Sequence, residues 1–176
     1  NIYYMGIGVS GGSEGARKGP TIMAGGDHKA YDLVKPIFEA VAAKVSNEPC
    51  VDFLGQGSAG NYVKMIHNGI EYALMQLIAE SYHIMKLGLQ FDNNQLKKTY
   101  LHWNQGDLQS FLVEITSQIF GKSDELNAGD LIDQILDKAK QKGTGKWTSQ
   151  NAMDLGLAVP TIDAAVSMRQ ISGIKA

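Results

Sequence analysis

The chain has 176 residues, of which 44% are hydrophobic and 19% are charged, and its formal net charge is −2. This length can bury the hydrophobic core of one domain or slightly more. The near-neutral charge excludes the strongly basic surface typical of proteins that bind nucleic acid or anionic membranes. A single cysteine, Cys50, excludes an internal disulfide framework. No apolar run reaches the roughly 18 residues of a membrane-spanning helix.

The sequence opens with a predicted strand that runs into a glycine-rich segment. Residues 2–9 are apolar and β-prone, which indicates a buried strand, whereas residues 10–26 predict a long loop because of their glycines. Gly6, Gly8 and Gly11 form a G-x-G-x-x-G pattern, which in dinucleotide-binding proteins is followed at once by a helix. The sequence predicts no helix there, and the helix N-terminus is the physical reason for that motif.

Three interpretations of these glycines remain open: a coenzyme fingerprint, a structural turn and a ligand-binding loop. The absence of a predicted helix disfavours the fingerprint. In the favoured third interpretation, Ser10 and the backbone amides around Gly11 and Gly12 face an anion or a hydroxyl group.

A helix and a short strand complete this first part of the chain. Apolar residues at helical spacing predict a helix over 27–45, with Asp27 as its N-cap. Pro36 should kink this helix or mark its true start. Residues 50–55 predict a short final strand. We therefore expect residues 1–55 to be the end of a sheet-containing domain.

The remainder of the sequence predicts an all-helical domain. Residues 61–88 indicate one long helix that is largely buried on all sides. Further helical patterns, the last with Pro160 at its first position, lie near 93–103, 107–120, 129–141, 149–155 and 160–172. The expected fold class is mostly α: the end of a Rossmann-like α/β domain over 1–55, followed by an all-helical domain over 56–176.

A polar stripe lies on the long predicted helix and consists of Lys64, His67, Asn68, Glu71 and Tyr72. At 100° per residue these side chains share one face of about 140°. Burying them would cost free energy unless they have partners or a function; the alternative is an exposed face with an ordinary Lys–Glu pair. A lysine and a carboxylate two turns apart can act as base and acid on a small substrate. Burial and nearby cations lower the pKa of a lysine towards neutrality.

Further candidates for anion binding lie near the end of the sequence. Residues 141–150 contain Gly-Thr-Gly-Lys-Trp but lack the spacing of a Walker A loop. Either a small loop presents Lys146 and Thr148 to a phosphate, or a helix ends here and a turn follows. Arg169 is either a salt-bridge partner or an anion ligand. The histidines and the single cysteine have no metal-ligand spacing, so no metal site is predicted.

Four segments together resemble the 6-phosphogluconate dehydrogenase family: GVSGG with EGARKGPTIMAGG, GNYVKMIHNGIEYALMQLIAE, KGTGKW and MRQISGIK. The resemblance covers essentially the whole chain. The wider β-hydroxyacid dehydrogenase superfamily shares only the glycine that is followed by Lys64 and Asn68. The additional His67, Glu71 and Tyr72 point to the phosphogluconate branch.

The resemblance implies a reaction and a role for each candidate residue. In this family 6-phosphogluconate is oxidised at C3 with NADP and loses CO2, which gives ribulose 5-phosphate in the pentose phosphate pathway. Lys64 is implied to be the general base, and Glu71 the acid that protonates C1 of the enediol. The implied substrate contacts are Ser10, Gly11 and Gly12 for the carboxylate end, His67 and Asn68 for the hydroxyls, and Tyr72, Lys146 and Arg169, with Thr148 as a neighbour, for the phosphate. No metal is implied.

The resemblance also implies a cytoplasmic homodimer in which the C-terminal tail of one subunit completes the phosphate site of the other. The coenzyme fingerprint would lie before residue 1 and the tail after residue 176, so we expect these residues alone to turn over little or no substrate. Two departures from the family pattern, Ala24 in place of proline and Lys140 in place of a small residue, lie outside the implied site.

Two alternatives to this function remain. One is another β-hydroxyacid dehydrogenase that acts on a smaller 3-hydroxy acid without phosphate, which would have no need of Tyr72, Lys146 and Arg169 together. The other is a helical interaction protein that has lost the chemistry. The presence of both Lys64 and Glu71 argues against this second alternative.

Overall fold

The structure is a computed structural model, and it describes residues 2–175. The elements follow one another as β1 (Met5–Ser10), α1 (Gly12–Lys18), β2 (Thr21–Gly26), α2 (His28–Val41), β3 (Lys44–Val45), β4 (Glu48–Pro49), β5 (Val51–Phe53), α3 (Ala59–His83), α4 (Asn93–Trp103), α5 (Phe111–Ile119), α6 (Thr144–Asp154) and α7 (Pro160–Gly173). A π-helical segment, Ile84–Gly88, continues α3, and a 3-10 turn covers Leu131–Gln134. This order confirms the predicted fold class.

The chain divides into two compact units, the first ending at Gly69 and the second beginning at Ile70. The division falls within α3, so this helix contributes residues to both units. None of the helices among residues 2–175 has the length and apolar character needed to cross a membrane.

The first unit is built on a three-stranded sheet in the order β1-β2-β5. Strand β1 runs antiparallel to β2, with Gly6 opposite Gly25 and Ser10 opposite Thr21, whereas β2 and β5 are parallel. Helix α2 packs against β2 and β5. Its buried Tyr31 lies with its ring 5.5 Å from the ring of Phe53, so the core of this unit lies between α2 and the sheet.

The prediction of a long loop over residues 10–26 is wrong, because α1 and β2 occupy most of this segment. Glycines stand at the ends of these short elements. Gly11 precedes α1 with φ 134° and Gly19 follows it with φ 129°, values that side chains other than glycine rarely adopt. Gly11 and Gly19 therefore mark where α1 begins and ends, and the glycines of this segment do not prevent regular elements from forming.

The other predictions for the first unit are partly confirmed. Asp27 is the N-cap of α2, and its carboxylate accepts the backbone N–H of Lys29 at 2.8 Å. The predicted final strand is confirmed as β5. Strand β1 is shorter than predicted, since it begins at Met5 and the preceding residues 2–4 are exposed. Helix α2 ends at Val41, and Pro36 lies inside it rather than at its start.

A hairpin that was not predicted from the sequence follows α2 and explains why this helix is shorter than predicted. Strands β3 and β4 pair antiparallel around Ser46 and Asn47, which have φ values of 51° and 69°. Positive φ at both central residues is the geometry of a two-residue hairpin turn. Asparagine tolerates this conformation better than most residues, so Asn47 was the available signal.

The second unit contains two hydrophobic clusters. The smaller joins the second half of α3 to α7 and consists of Tyr72, Ala73, Ile162, Ala165 and Val166, with Val159 packed against it. The larger, which we call the aromatic cluster, is centred on Met85, Leu96, Tyr100 and Phe120. The ring of Tyr100 lies 5.0 Å from that of Trp103 and 5.4 Å from that of Phe120.

The long helix predicted over 61–88 is confirmed as α3 and its π-helical continuation. The expectation that it is buried on all sides is wrong. Val63, Ile70 and Leu77 are 38%, 49% and 51% exposed. These residues recur at intervals of seven, so they share one side of the helix, which the described residues leave largely uncovered.

The remaining predicted helices differ in how well they match. Those over 93–103 and 160–172 are confirmed as α4 and α7, and Pro160 occupies the first turn of α7. Helix α5 begins later than predicted, at Phe111, and α6 begins earlier, at Thr144.

The prediction of a helix over 129–141 is wrong, since only the 3-10 turn forms there. The side-chain amide of buried Asn93 donates to the carboxylates of Asp130 and Asp133 at 2.8 and 2.7 Å. The Lys86 ammonium lies 3.7 Å from Asp133. These contacts to α4 and the π-helical segment hold the backbone in an irregular path.

Candidate active site

In the first unit α3 starts directly against the sheet, at a contact made by four glycines: Gly6 and Gly8 of β1, Gly25 of β2 and Gly60 of α3. We call these residues the glycine contact. A Cβ atom at position 60 would lie 2.1 Å from the carbonyl oxygen of Met23, and one at position 25 would lie 2.5 Å from the Gly60 nitrogen. A Cβ atom at position 8 would lie 2.5 Å from Cβ of Lys64. Glycine is therefore required at positions 8, 25 and 60 for this close approach.

The glycine contact accounts for Gly6 and Gly8, the first two glycines of the G-x-G-x-x-G pattern, and coenzyme binding is not needed to explain them. The expectation that no helix follows Gly11 is wrong, because α1 begins at Gly12. A different observation speaks against the fingerprint: β1 and β2, which flank α1, are antiparallel. The dinucleotide fingerprint belongs to a βαβ unit, whose strands are parallel. Gly6 and Gly8 instead let strand β1 pack on α3.

The same contact brings Lys64 against β1. Cβ of Lys64 faces Gly8, and Ser10 lies two residues further along the strand, on the same face, since side chains alternate. Lys64 is half-buried, as are His67 and Asn68 about one turn later. Nδ1 of His67 lies 3.3 Å from Oδ1 of Asn68. The first unit thus brings a lysine, a hydroxyl-bearing strand end and a histidine–asparagine pair to one helix turn and its neighbouring strand.

The loop candidates Gly11 and Gly12 follow Ser10 at the end of β1. Gly12 has φ 60°, and a Cβ atom there would meet nothing within 4 Å. The space beside Gly12 is therefore open, and its positive φ is what disfavours most other residues.

In the second unit Tyr72 lies at the centre of a set of contacts. Its hydroxyl accepts the backbone N–H of Lys142 at 3.2 Å. The guanidinium carbon of Arg169 lies 3.8 Å from the centre of its ring, which is a cation–π contact. Arg169 also donates through Nη1 to the carbonyl oxygen of Lys140 at 2.8 Å. The preceding residue, Glu71, is half-buried on α3.

The Gly-Thr-Gly-Lys-Trp segment forms neither the predicted loop nor the predicted helix end, because it leads into the first turns of α6. Phosphate binding by Lys146 and Thr148 stays a prediction. Gly143 precedes the helix with φ 109°, which disfavours any residue with a side chain. Lys146 is exposed in the first turn, whereas Thr148 is buried and its hydroxyl donates to the carbonyl oxygen of Thr144 at 2.8 Å. The segment is therefore the start of a helix that presents a lysine.

Glycines at two helix positions were missed as functional candidates. Gly60 lies in the first turn of α3, and Gly145 lies in the first turn of α6. The helices predicted from the sequence began at residues 61 and 149, so neither glycine lay inside a predicted helix, and the low helix propensity of glycine gave no signal there. For metals, residues 2–175 hold no group of three histidine, cysteine, aspartate or glutamate side chains suited to bind an ion.

Comparison with known proteins identifies the family. The model described as "6-phosphogluconate dehydrogenase, C-terminal domain" matches residues 60–176, and the "NAD binding domain of 6-phosphogluconate dehydrogenase" matches residues 1–55. The chain belongs to the 6-phosphogluconate dehydrogenase family. This finding confirms the resemblance drawn from the sequence segments.

Individual relatives agree with the family models. The chain is 56% identical over 174 residues to the NADP(+)-dependent, decarboxylating 6-phosphogluconate dehydrogenase of Bacillus subtilis. The match covers 99% of this chain and 37% of that protein. It is 53% identical over 174 residues to the chloroplastic decarboxylating enzyme 1 of Arabidopsis thaliana, with 99% and 36% covered. The chain therefore spans little more than a third of these relatives.

A solved structure shows the same fold. Plasmodium falciparum 6-phosphogluconate dehydrogenase, described in its apo form and in complexes with its cofactor NADP+ and its substrate 6-phosphogluconate, matches with a TM-score of 0.92 and 53% identity. The match covers 96% of this chain and 36% of that one.

Proposed function

We propose that this chain carries the substrate-binding and acid–base residues of an NADP-dependent 6-phosphogluconate dehydrogenase. The enzyme oxidises 6-phosphogluconate and releases CO2 to form ribulose 5-phosphate in the pentose phosphate pathway. One observation supports this most directly: Lys64 packs against Gly8, on the strand that ends in Ser10. The named activities of the Bacillus and Plasmodium relatives supply the reaction.

The proposed mechanism assigns one proton transfer to each end of the polar stripe on α3. Lys64 takes the proton from the 3-hydroxyl of the substrate while C3 is oxidised. The resulting 3-keto acid loses its carboxylate as CO2, and Glu71 donates a proton to C1 of the enediol. Both residues are half-buried, which limits the access of water to the reacting groups.

The other stripe residues and the strand end would hold the substrate. Ser10 with the amides of Gly11 and Gly12 would bind the carboxylate end, and His67 with Asn68 would bind the hydroxyls. The phosphate would lie near Tyr72, Lys146 and Arg169, with Thr148 supporting the helix turn that carries Lys146. Cationic side chains and hydroxyl donors are the groups that bind phosphate in proteins.

NADP supplies the hydride acceptor of this reaction when it is bound. The G-x-G-x-x-G pattern at β1 does not fit the pyrophosphate of a dinucleotide, because it lies between antiparallel strands. We assign no NADP-binding residue to this chain, and the coenzyme would be held mainly by residues outside it.

The proposed domain division places the end of the coenzyme domain at residues 1–55 and the substrate domain at 56–176. The bounds of the two family models, 1–55 and 60–176, support this division. We also propose a cytoplasmic homodimer in which the partner's C-terminal tail completes the phosphate site. Gel filtration of the native polypeptide that carries this sequence, with and without its C-terminal residues, tests the assembly.

The proposed chemistry is tested by Lys64→Ala and Glu71→Ala in that native polypeptide. Lys64→Ala should lower the rate of substrate oxidation by about 10²–10⁴-fold, the usual contribution of a general base. Glu71→Ala should impair release of ribulose 5-phosphate more than oxidation. NADPH absorbance follows the first step, and product analysis follows the second.

The matched control is Lys98→Ala, which removes an exposed lysine from α4 and should leave both steps unchanged. Oxidation at a near-normal rate in Lys64→Ala would contradict the assignment of the base. Equal loss of both steps in Glu71→Ala would contradict the assignment of the acid.

A further inference from the structure

Tyr72 is fixed on three sides by groups of its own unit. Its side chain is buried, with 7% exposed. One face of the ring carries the guanidinium of Arg169 at 3.8 Å, and the hydroxyl accepts the N–H of Lys142. The ring edge faces Gly145 so closely that a Cβ atom there would lie 2.5 Å from Cδ2 and 2.7 Å from Cε2.

These contacts leave defined donors for an anion. Because the Tyr72 oxygen accepts the N–H of Lys142, its own O–H remains to donate. Arg169 donates through Nη1 to the carbonyl oxygen of Lys140 and through Nη2 to Sδ of Met75 at 3.7 Å, and a guanidinium has five N–H donors in a fixed plane, so some remain. Stacking sets the direction of that plane, so the position of the ring decides where the remaining donors point.

We propose that Gly145 is a positioning residue that determines specificity for a phosphate-bearing substrate. It has no side chain, and for this reason the Tyr72 ring can occupy the place on which Arg169 stacks. A methyl group at position 145 must move the ring, and the ring moves the guanidinium. The helix around Gly145 cannot yield easily, because the same methyl would also lie 3.1 Å from Cγ2 of Val166. This inference rests on the proposed function.

The test is Gly145→Ala in the native polypeptide, with two readouts. Titration calorimetry with inorganic phosphate should give a dissociation constant at least about tenfold higher, the loss expected when charge-assisted hydrogen bonds are misaligned. KM for 6-phosphogluconate should rise by a similar factor, with kcat changed less than about threefold, because the residues proposed for proton transfer are elsewhere.

Gly173→Ala is the matched control, since Gly173 is also in a helix and a Cβ atom there meets nothing within 4 Å. It should leave both constants unchanged. An unchanged phosphate dissociation constant in Gly145→Ala, or no phosphate binding by the wild-type protein, would overturn the inference. Failure of the wild-type protein to oxidise 6-phosphogluconate while it binds phosphate would refute the proposed function alone.

A second variant separates positioning from loss of folding. In a Tyr72→Ala background the ring is absent, and the methyl of Gly145→Ala can enter the space that it leaves. Gly145→Ala should therefore lower the melting temperature of the wild-type protein but not that of Tyr72→Ala. Equal destabilisation in both backgrounds would show that Gly145 acts on something other than the ring, and would overturn the inference.

Discussion

The two units solve the problem of close packing with opposite residue types. In the first unit the glycine contact brings two strands and a helix together with no side chains between their backbones. In the second unit the aromatic cluster fills the space between helices with large rings, four of which belong to Tyr82, Tyr100, Trp103 and Phe120. The first arrangement is sensitive to a single added methyl group, and the second to the loss of a buried group.

Glycine also matters for function in both units, because in each unit one glycine lies against a proposed site residue. Gly8 faces Lys64 in the first unit, and Gly145 faces Tyr72 in the second. The two differ in what surrounds them. A methyl at position 8 would also lie 2.7 Å from the backbone oxygen of Gly60, whereas the close atoms at position 145 belong to side chains. Side chains can shift more easily than backbone, so the first unit should tolerate substitution less well.

The largest effect is expected for Gly60→Ala. Its methyl would lie 2.1 Å from the oxygen of Met23 and 2.5 Å from that of Gly6. Both atoms are backbone in paired strands, so the helix and the sheet must separate. We expect a loss of about 3 kcal/mol or more in the free energy of unfolding. Urea unfolding, followed by circular dichroism, measures this loss.

The control for this prediction is Gly88→Ala at the end of the π-helical segment. The nearest atom to a Cβ there is Cγ2 of Ile84, at 4.0 Å. Stability should stay the same or rise by about 0.4–1 kcal/mol, because alanine restricts the unfolded chain. Similar losses in Gly60→Ala and Gly88→Ala would show that close approach is not what requires glycine at position 60.

A smaller effect on stability, but a direct effect on activity, is expected for Gly8→Ala. The new methyl must displace the backbone of α3 near Lys64 by about 1 Å, and a shift of that size can reduce a catalytic rate on the order of 10²-fold. The value of kcat should fall by that order while KM changes little. Steady-state kinetics of the native polypeptide, normalised to the folded fraction, provides the measurement.

Gly6→Ala is the matched control for Gly8→Ala, since it lies on the same face of β1. Its methyl would lie 3.2 Å from Cα of Ser58, and a shift of a few tenths of an ångström suffices. The value of kcat should stay within about threefold of wild type. If both variants lose activity equally, the contact between Gly8 and Lys64 has no special role in placing the base.

The contrast between local signals and contacts that are distant in the sequence explains which features could be predicted. Periodic apolar residues and end signals such as Asp27 and Pro160 located α2 and α7, because these signals are local. The polar stripe from Lys64 to Tyr72 was likewise visible, since one helix carries all its members. The glycine-rich segment was misread because the reason for Gly25 is its contact with Gly60, which lies far away in the sequence.

Tertiary contacts also decided the failures in the second unit. The helix predicted over 129–141 does not form because Asn93 binds the carboxylates of Asp130 and Asp133. The place of Gly145 against Tyr72 has no local signature beyond a glycine inside a helix. Residues that act through distant partners are thus the ones that single-sequence patterns miss, and in this chain several of them support the proposed site.

The smallest effect is expected in the aromatic cluster, from Tyr100→Phe. The Tyr100 hydroxyl lies 2.8 Å from Oγ of Ser81 and donates to the carbonyl oxygen of Ile78 at 3.0 Å. Loss of these bonds should cost about 1 kcal/mol at neutral pH, since the ring remains in place. Thermal unfolding at pH 7 measures this cost, with Tyr3→Phe, at an exposed tyrosine, as the control.

The pH dependence of stability provides a second measurement on the same residue. Burial raises the pKa of Tyr100 above its ordinary value of 10.0, although the hydrogen bond with Ser81 opposes the shift. The folded state therefore favours the protonated form, and this contribution is complete below about pH 10 and is lost as the pH rises through the folded pKa. The difference in stability between wild type and Tyr100→Phe should shrink above pH 10. A difference that stays constant to pH 11 would mean that the hydroxyl titrates alike in the folded and unfolded states, and that the ring cluster does not exclude water from it.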